Sequence, residues 1–330
     1  MGAGGRMHHL GTETVHTFWD NALPPRLTVA PGDTVVFQTL EASYGAVARE
    51  VARETPPDLA PELVALIAAD AYPERPVELR GHPLTGPVAL AGAAPGDTLV
   101  VEIIEVRPNT WGWTAASPIG LLSDEIPGRT LQYWDLRGGD STTFAPGIRL
   151  PLAPFCGVMG VAPAEPGRHP TAPPRAAGGN MDIRQLVAGT TLHLPVLATG
   201  ALFSVGDAHA AQGDGEVSGT GIETDATVTL RFDLLRGQTI RAPRFRTAGP
   251  AEPGAKGGPY FAATGHDPHL REAAREALRG VLDWLEREHD LPRARASILA
   301  SVCVDLRISQ IVDAPNWTVS AFLPLSIFAD

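Results

Sequence analysis

Eleven residues, Gly206-Asp-Ala-His-Ala-Ala-Gln-Gly-Asp-Gly-Glu216, hold the densest set of chemically active side chains in the sequence. Asp207 and His209 are two apart, a spacing that turns both side chains to one face of an extended backbone. Asp214 and Glu216 repeat that spacing. A carboxylate beside an imidazole suits a divalent cation, and a further carboxylate suits a general base. Gly206, Gly213 and Gly215 permit tight turns and close approach of a ligand to the backbone. The competing description is a hydrated Gly/Asp turn. The apolar runs ALFSV (201–205) and VSGTGI (217–222) on either side favour a site.

A second cluster, Gly178-Gly-Asn-Met-Asp-Ile-Arg184, alternates Asn180, Asp182 and Arg184 with Met181 and Ile183. That pattern sets three polar groups on one side of a strand, facing either a pocket or solvent. His82, fixed by Pro83, is a further candidate, with a solvated loop histidine as the alternative. Cys156 lies in apolar PFCGV and reads as a buried thiol rather than a nucleophile. Ser204 lacks the G-x-S-x-G elbow of a nucleophilic serine. Trp19 reads as packing.

These groups need a scaffold, and its elements read mainly as strands. PGDTVVFQ (31–38) and PGDTLVVE (95–102) each join a tight turn to a β-branched run. Related openings occur at Gly189 (GTTLHLPV) and Asp225 (DATVTLRFDL). The matches reflect either a common way to start a strand or a duplicated β unit. Uncharged Gln185–Gly206 contains His193 and Pro195 and reads as two buried strands with a turn, not a membrane helix. One helix is clear over 269–287, where Leu270, Ala274, Ala277, Leu278, Val281, Trp284 and Leu285 share a face after an Asp267-Pro268 start. Weaker helical patterns cover 61–72 and 293–301. The Gly/Pro-rich stretch 162–180 is too long for a hairpin turn, and such connections are usually functional. The apolar C-terminal SAFLPLSIFAD should dock in the core or an interface rather than fray.

Composition narrows the class. Of 330 residues, 44% are hydrophobic, enough for a large core, and 35 glycines with 31 prolines argue for a turn-rich β fold. A net charge of −11 without a basic run argues against nucleic-acid or anionic-membrane partners. Two cysteines make no disulfide framework, so a reducing cytoplasm is expected. MGAGGRMHHL has no apolar leader core and reads as a flexible extension over 1–10, ahead of one domain over 11–330.

The strings PPRAAGGNMDIRQL and LPVLATGALFSVGDAHAAQGDGEV resemble the acetamidase/formamidase family. So do HPLTGPVALAGAAPGDTLVVEI (82–103), PLAPFCGVMGVAPA (151–164) and DLRISQIVD (305–313), so the likeness runs from about Trp19 to Phe328. It implies a soluble, β-rich homo-oligomer that hydrolyses short amides, formamide or acetamide, to ammonia and a carboxylic acid. The expected fold is mainly β (α+β), with a sandwich or barrel-like core, two similar β halves as one option, and a C-terminal helix around 269–287. Asp182, Asp207 and His209 are the expected metal ligands, for Zn²⁺ or Ca²⁺, with no organic cofactor. Glu216, Asp214 and His82 are the expected catalytic groups, and Asn180, Gln212 and Glu41 the expected substrate contacts. Two features depart from the family: Glu41-Ala42 stands where Asp-Ala is expected, and residues 45–80 are longer than usual. The rival reading is a non-catalytic, small-molecule-binding β-protein with a structural cation. An aromatic content of only 6% gives it few stacking surfaces.

Overall fold

A computed structural model describes residues 5–73, 81–116, 118–126, 128–249 and 258–328. Two large sheets dominate. The first runs in the order Met7–Leu10, Thr34–Thr39, Ala226–Leu235, Thr98–Pro108, Thr191–Pro195, Arg244–Arg246, Tyr260–Asp267, Trp317–Pro324, Asp305–Gln310. The second joins Gly178–Asn180, Phe155–Gly160, Phe203–His209, Glu223–Thr224, Trp111–Ala116 and Thr130–Asp135, with Leu84–Leu90 also paired to Phe203–His209. Apolar side chains from both sheets meet face to face: Phe37, Phe232 and Ile103 from the first, Phe203, Val205 and Met159 from the second. The rings of Phe37, Phe203 and Phe232 pack edge to face at centroid distances of 5.1–6.2 Å. A mainly β architecture with a sandwiched core is therefore what the alternating apolar patterns produce.

The two PGD turns show how local chemistry sets register. Gly32 and Gly96 adopt φ of 91° and 98°, which side-chain-bearing residues rarely reach. Asp33 accepts from the N–H groups of Ala30 and Arg6, and Asp97 from those of Ala94 and Gly237. The strands that follow both enter the first sheet, one on each side of Ala226–Leu235. The sequence match thus feeds one sheet from two places. Met7–Leu10, expected within a flexible extension, instead forms a strand parallel to Thr34–Thr39. Thr191–Pro195 and Phe203–His209 are the two buried strands expected over 185–206, but they lie in different sheets, so the turn between them crosses the core.

Four helices cover the sheets among the described residues. The helix expected over 269–287 is α3, Leu270–His289, and it packs Ala273, Ala277, Val281 and Leu285 against the Tyr260–Asp267 and Trp317–Pro324 strands. Gly265 permits this contact, because a Cβ there would run into the backbone of Ala273 and Ala277. The pattern at 293–301 is α4, Arg293–Cys303. Earlier in the chain, α1 (Ala46–Arg53) and α2 (Pro61–Ala69) bury Val47, Val51, Leu63 and Ile67 against Trp111 and Trp113. The C-terminal apolar run becomes Trp317–Pro324, an interior strand of the first sheet.

Candidate active site

The site forms where the Phe203–His209 strand ends. His209 sits opposite Glu223 of the neighbouring strand, and cross-strand partners share a face. Its Nε2 lies 3.0 Å from Glu223 Oε1 and 3.5 Å from Asp207 Oδ2. Neither contact has the alignment of a hydrogen bond. The other ring nitrogen is committed, since Nδ1–H donates to Gln212 Oε1 at 2.7 Å. Gln212 is held in turn by donating from Nε2 to the backbone carbonyl of Asp182 at 2.9 Å. This chain holds the ring and turns Nε2 toward two carboxylates, the orientation that a metal-ligating histidine needs.

Asp182, Glu216 and Asp313 complete the cluster. Asp182 Oδ1 lies 3.9 Å from His209 Nδ1, and Asp182 faces Asp313. Asp182, His209 and Glu216 form one candidate ligand trio, and Asp207, His209 and Glu223 a second, each with its ligand atoms within 4.8 Å of one another. Nine buried side-chain polar atoms lack a hydrogen-bond partner among the described residues, and six of them belong to Asp182, Asp207, His209, Glu223 and Asp313. Such a concentration is rare in a folded interior, because each orphaned group costs about 1–3 kcal/mol.

The backbone is shaped to bring these oxygens together. Asp182, Asp207 and Glu216 adopt left-handed φ of 49°, 56° and 49°. Few non-glycine residues do so, and such conformations cluster at functional sites. Between two of the carboxylates sits Gly157, where a Cβ would collide with Asp182 Oδ1 and lie 2.6 Å from Asp207 Oδ2. Only glycine leaves the two carboxylates room to converge.

Electrostatics follow from burying like charges. Burial, then Asp313 and Asp207, raises Asp182 well above the carboxylate range. Burial, then Asp182, does the same to Glu216, and burial, then Glu216, to Asp313. Glu223 is pushed up to about 7, first by burial. Burial opposes a charge on His209, yet Glu223 and Asp207 outweigh it and raise the imidazole well above its usual value. Asp207 alone is held low: burial works against its charge, and the charges of His82 and His209 override it. The cluster therefore draws positive charge inward, as protons or as a cation.

The expected residues divide clearly. Asp182, Asp207, His209 and Glu216 come together as the spacing suggested. His82 stands beside Asp207, with its backbone N–H on Thr171 Oγ1 at 2.8 Å. Asn180 is buried on the strand next to Val158, its Oδ1 without a partner. Three further candidates have structural partners of their own. Gln212, expected to touch substrate, orients His209 and lines the same cavity as Glu216. Asp214, expected as a base, pairs with Arg307 at 3.2 Å and accepts from Gln185 Nε2, so it is a neutralised anion at the rim. Glu41, expected in the substrate pocket, spends both oxygens on Ser43, Gly45 and the Trp113 indole N–H. Glu223 and Asp313 were missed. Cys156 is buried, with its thiol pushed up to about 12 by burial and by Asp207, as expected of a structural cysteine.

Glu41 anchors the start of α1 instead. Its carboxylate caps the Gly45 N–H at the start of α1. Its backbone N–H donates to Asp225 Oδ1, and the Tyr72 hydroxyl donates to Asp225 Oδ2. Burial, then Glu41, pushes Asp225 up to about 7.

Of the whole cluster, Glu216 alone lines an open cavity of about 400 Å³. The walls of this cavity include Trp134, Leu150, Pro151 and Ile222, with Arg184 and Asp214 at the edge. The arrangement can bind a cation at its base, hold a small apolar group against Trp134 and Leu150, and present one protonatable carboxyl to that group.

Two substitutions test this geometry. Gly157→Ala should push Asp182 and Asp207 apart and cut turnover at least about 100-fold, since misplacements near 1 Å cost that much; wild-type turnover would show that the convergence has no catalytic role. Asp225→Asn tests the anchor through pH. A carboxyl whose folded pKa, about 7, exceeds its unfolded value stabilises the fold below the unfolded pKa, and that contribution is lost as pH rises through about 7. The variant should therefore gain in thermal midpoint over wild type as pH climbs from 4 to 8, and a pH-independent difference would contradict the assignment.

Comparison with known proteins agrees with this geometry. The family model described as the acetamidase/formamidase family matches residues 74–169 and 165–330. A formamidase of Methylophilus methylotrophus is 26% identical, over 95% of this chain and 89% of that one. Among solved structures, an acetamidase of Bacillus halodurans shares 29% identity with a TM-score of 0.79, covering 97% of this chain and 98% of that one. An acetamidase of Yersinia enterocolitica shares 26% identity with a TM-score of 0.82, covering 100% of this chain and 95% of that one. With the family model matching most of its length, the chain belongs to the acetamidase/formamidase family.

Proposed function

We propose that this protein hydrolyses short aliphatic amides of the formamide and acetamide type to ammonia and a carboxylate. The observation that carries the reading is the position of Glu216, which belongs to the buried carboxylate cluster and also lines the cavity where a substrate fits. The relatives named formamidase and acetamidase support the same reaction class. A non-catalytic binding protein is not favoured, because it has no use for a buried carboxyl at the cavity wall.

The donor set fits a divalent cation. Asp207, His209 Nε2 and Glu223 would hold it, since His209 Nδ1 is committed to Gln212 and leaves only Nε2 free. Two carboxylates and an imidazole suit an ion of the zinc class better than calcium, which takes oxygen ligands. Such an ion supplies Lewis acidity, which activates water near neutral pH and polarises the amide carbonyl. The chain's own groups do the rest. Glu216 takes a proton from the attacking water as its oxygen bonds to the carbonyl carbon. As the C–N bond breaks, the same carboxyl returns that proton to the departing nitrogen, which leaves as ammonia. Burial and the neighbouring Asp182 carboxyl keep Glu216 protonatable. Trp134 and Leu150 shelter the acyl group.

We infer self-association as well. Ile298 and Val302 of α4 and Leu306 and Ile308 of the edge strand are large apolar side chains left exposed, which supports assembly.

Ammonia release from formamide, acetamide and propionamide, measured with metal content on the same sample, tests the proposal. Glu216→Gln keeps the shape but removes the proton acceptor, so turnover should fall about 10²–10⁴-fold with bound metal unchanged. His209→Ala should lose both. Absence of ammonia from every amide, with Zn²⁺ supplied, would overturn the reading.

A further inference from the structure

A second cavity, of about 440 Å³, opens where the outer face of the first sheet meets the C-terminal end of α3. None of its lining residues belongs to the carboxylate cluster. Its chemistry is opposite to that cluster. Arg244, Arg246 and Arg287 line it against a single acid, Glu288, in a protein whose net charge is −11.

Arg244 is the central observation. It is only 8% exposed, yet its guanidinium has no hydrogen bond or ion pair among the described residues. The acids within its electrostatic reach, Glu288 and Asp283, are taken by other arginines: Glu288 pairs with Arg287 at 2.8 Å, and Asp283 pairs with Arg293. Burial, then the Arg287 charge, lowers Arg244 to about 10, so the guanidinium stays charged at neutral pH in a place that disfavours it. A buried charge is normally paired, because burial strips it of water without supplying a counter-charge.

The strands put this charge in a lined recess. Arg244 and Arg246 are two apart on one strand and so share a face. Across the ladder, Arg244 stands opposite His193 and Arg246 opposite Phe261. His193 is lowered to about 4, first by burial and then by Arg244, so it is a neutral polar neighbour. Phe261 stacks on Trp284 of α3 at 4.4 Å and 15°, giving the recess a flat apolar wall. Three arginines against one acid, with Arg244 left unpaired beside aromatic faces, match a flat molecule with an anionic head.

We propose that this cavity is a binding site for a small organic anion, with a carboxylate or phosphate head on Arg244 and Arg287 and a flat apolar body against Trp284. The site is separate from amide hydrolysis and does not depend on it.

Calorimetric titration of the whole protein with benzoate, phenyl phosphate, inorganic phosphate and benzyl alcohol tests this. Benzoate or phenyl phosphate should saturate one site per chain, at least tenfold tighter than inorganic phosphate or benzyl alcohol. Whichever of the two binds tighter identifies the head group. Arg287→Gln, at an exposed position that the fold tolerates, and Arg244→Gln should each weaken binding at least tenfold. Glu216→Gln should leave it unchanged, which separates this site from the catalytic cavity. No saturable binding, binding that survives both arginine substitutions, or binding lost in Glu216→Gln would overturn the proposal.

Discussion

Five buried carboxyl groups around one imidazole set the terms for this structure. Asp182, Asp207, Glu216, Glu223 and Asp313 each feel the others and His209. A low-dielectric interior cannot hold five negative charges together, so protons or a cation must enter. The surrounding features make sense as devices that force this convergence. Gly157 leaves space between two carboxylates, three residues accept left-handed backbone, and Gln212 locks the imidazole. Closing these groups into the sandwich works against stability and concentrates reactivity at one cavity wall.

The segment that carries α1 and α2 supports the site from behind. Trp113 stands opposite Glu223 in the second sheet, and its indole N–H donates to Glu41 Oε2 at 3.0 Å. Glu41 in turn caps α1 and is tied through its backbone to Asp225, which also holds Tyr72. A continuous polar path therefore runs from the start of α1 to the strand that carries Glu223. Where the family resemblance suggested Asp, the longer Glu41 side chain reaches Ser43, Gly45 and Trp113 at once.

Much of this was legible in the sequence, because it rests on local pattern. The period-2 runs marked the strands, the apolar stripe marked α3, and the spacing of Asp207, His209 and Glu216 marked the site. What failed depends on distant partners. Asp214 has the same spacing from Glu216 as Asp207 has from His209, yet Arg307, some ninety residues on, claims it. Gln212 lines the cavity, but its hold on His209 depends on the backbone of Asp182, thirty residues earlier. Glu223 and Asp313 are single acids at the end of apolar stretches, GIE and SQIVD, and only strand pairing and tertiary packing bring them to His209. A buried acid flanked by apolar residues was the one signal available for both. The unpaired charge of Arg244 was likewise invisible, since RAPRFR reads as an ordinary basic segment.

The claim at the centre of this account is that the cluster keeps extra protons only until a cation replaces them. Metal binding to protonated ligands must release protons. Chelator-treated protein titrated with Zn²⁺ in weak buffer near pH 7 should release about one or more protons per ion bound, and its thermal midpoint should rise with each addition. Zinc that fails to bind, or that binds without proton release, would contradict it.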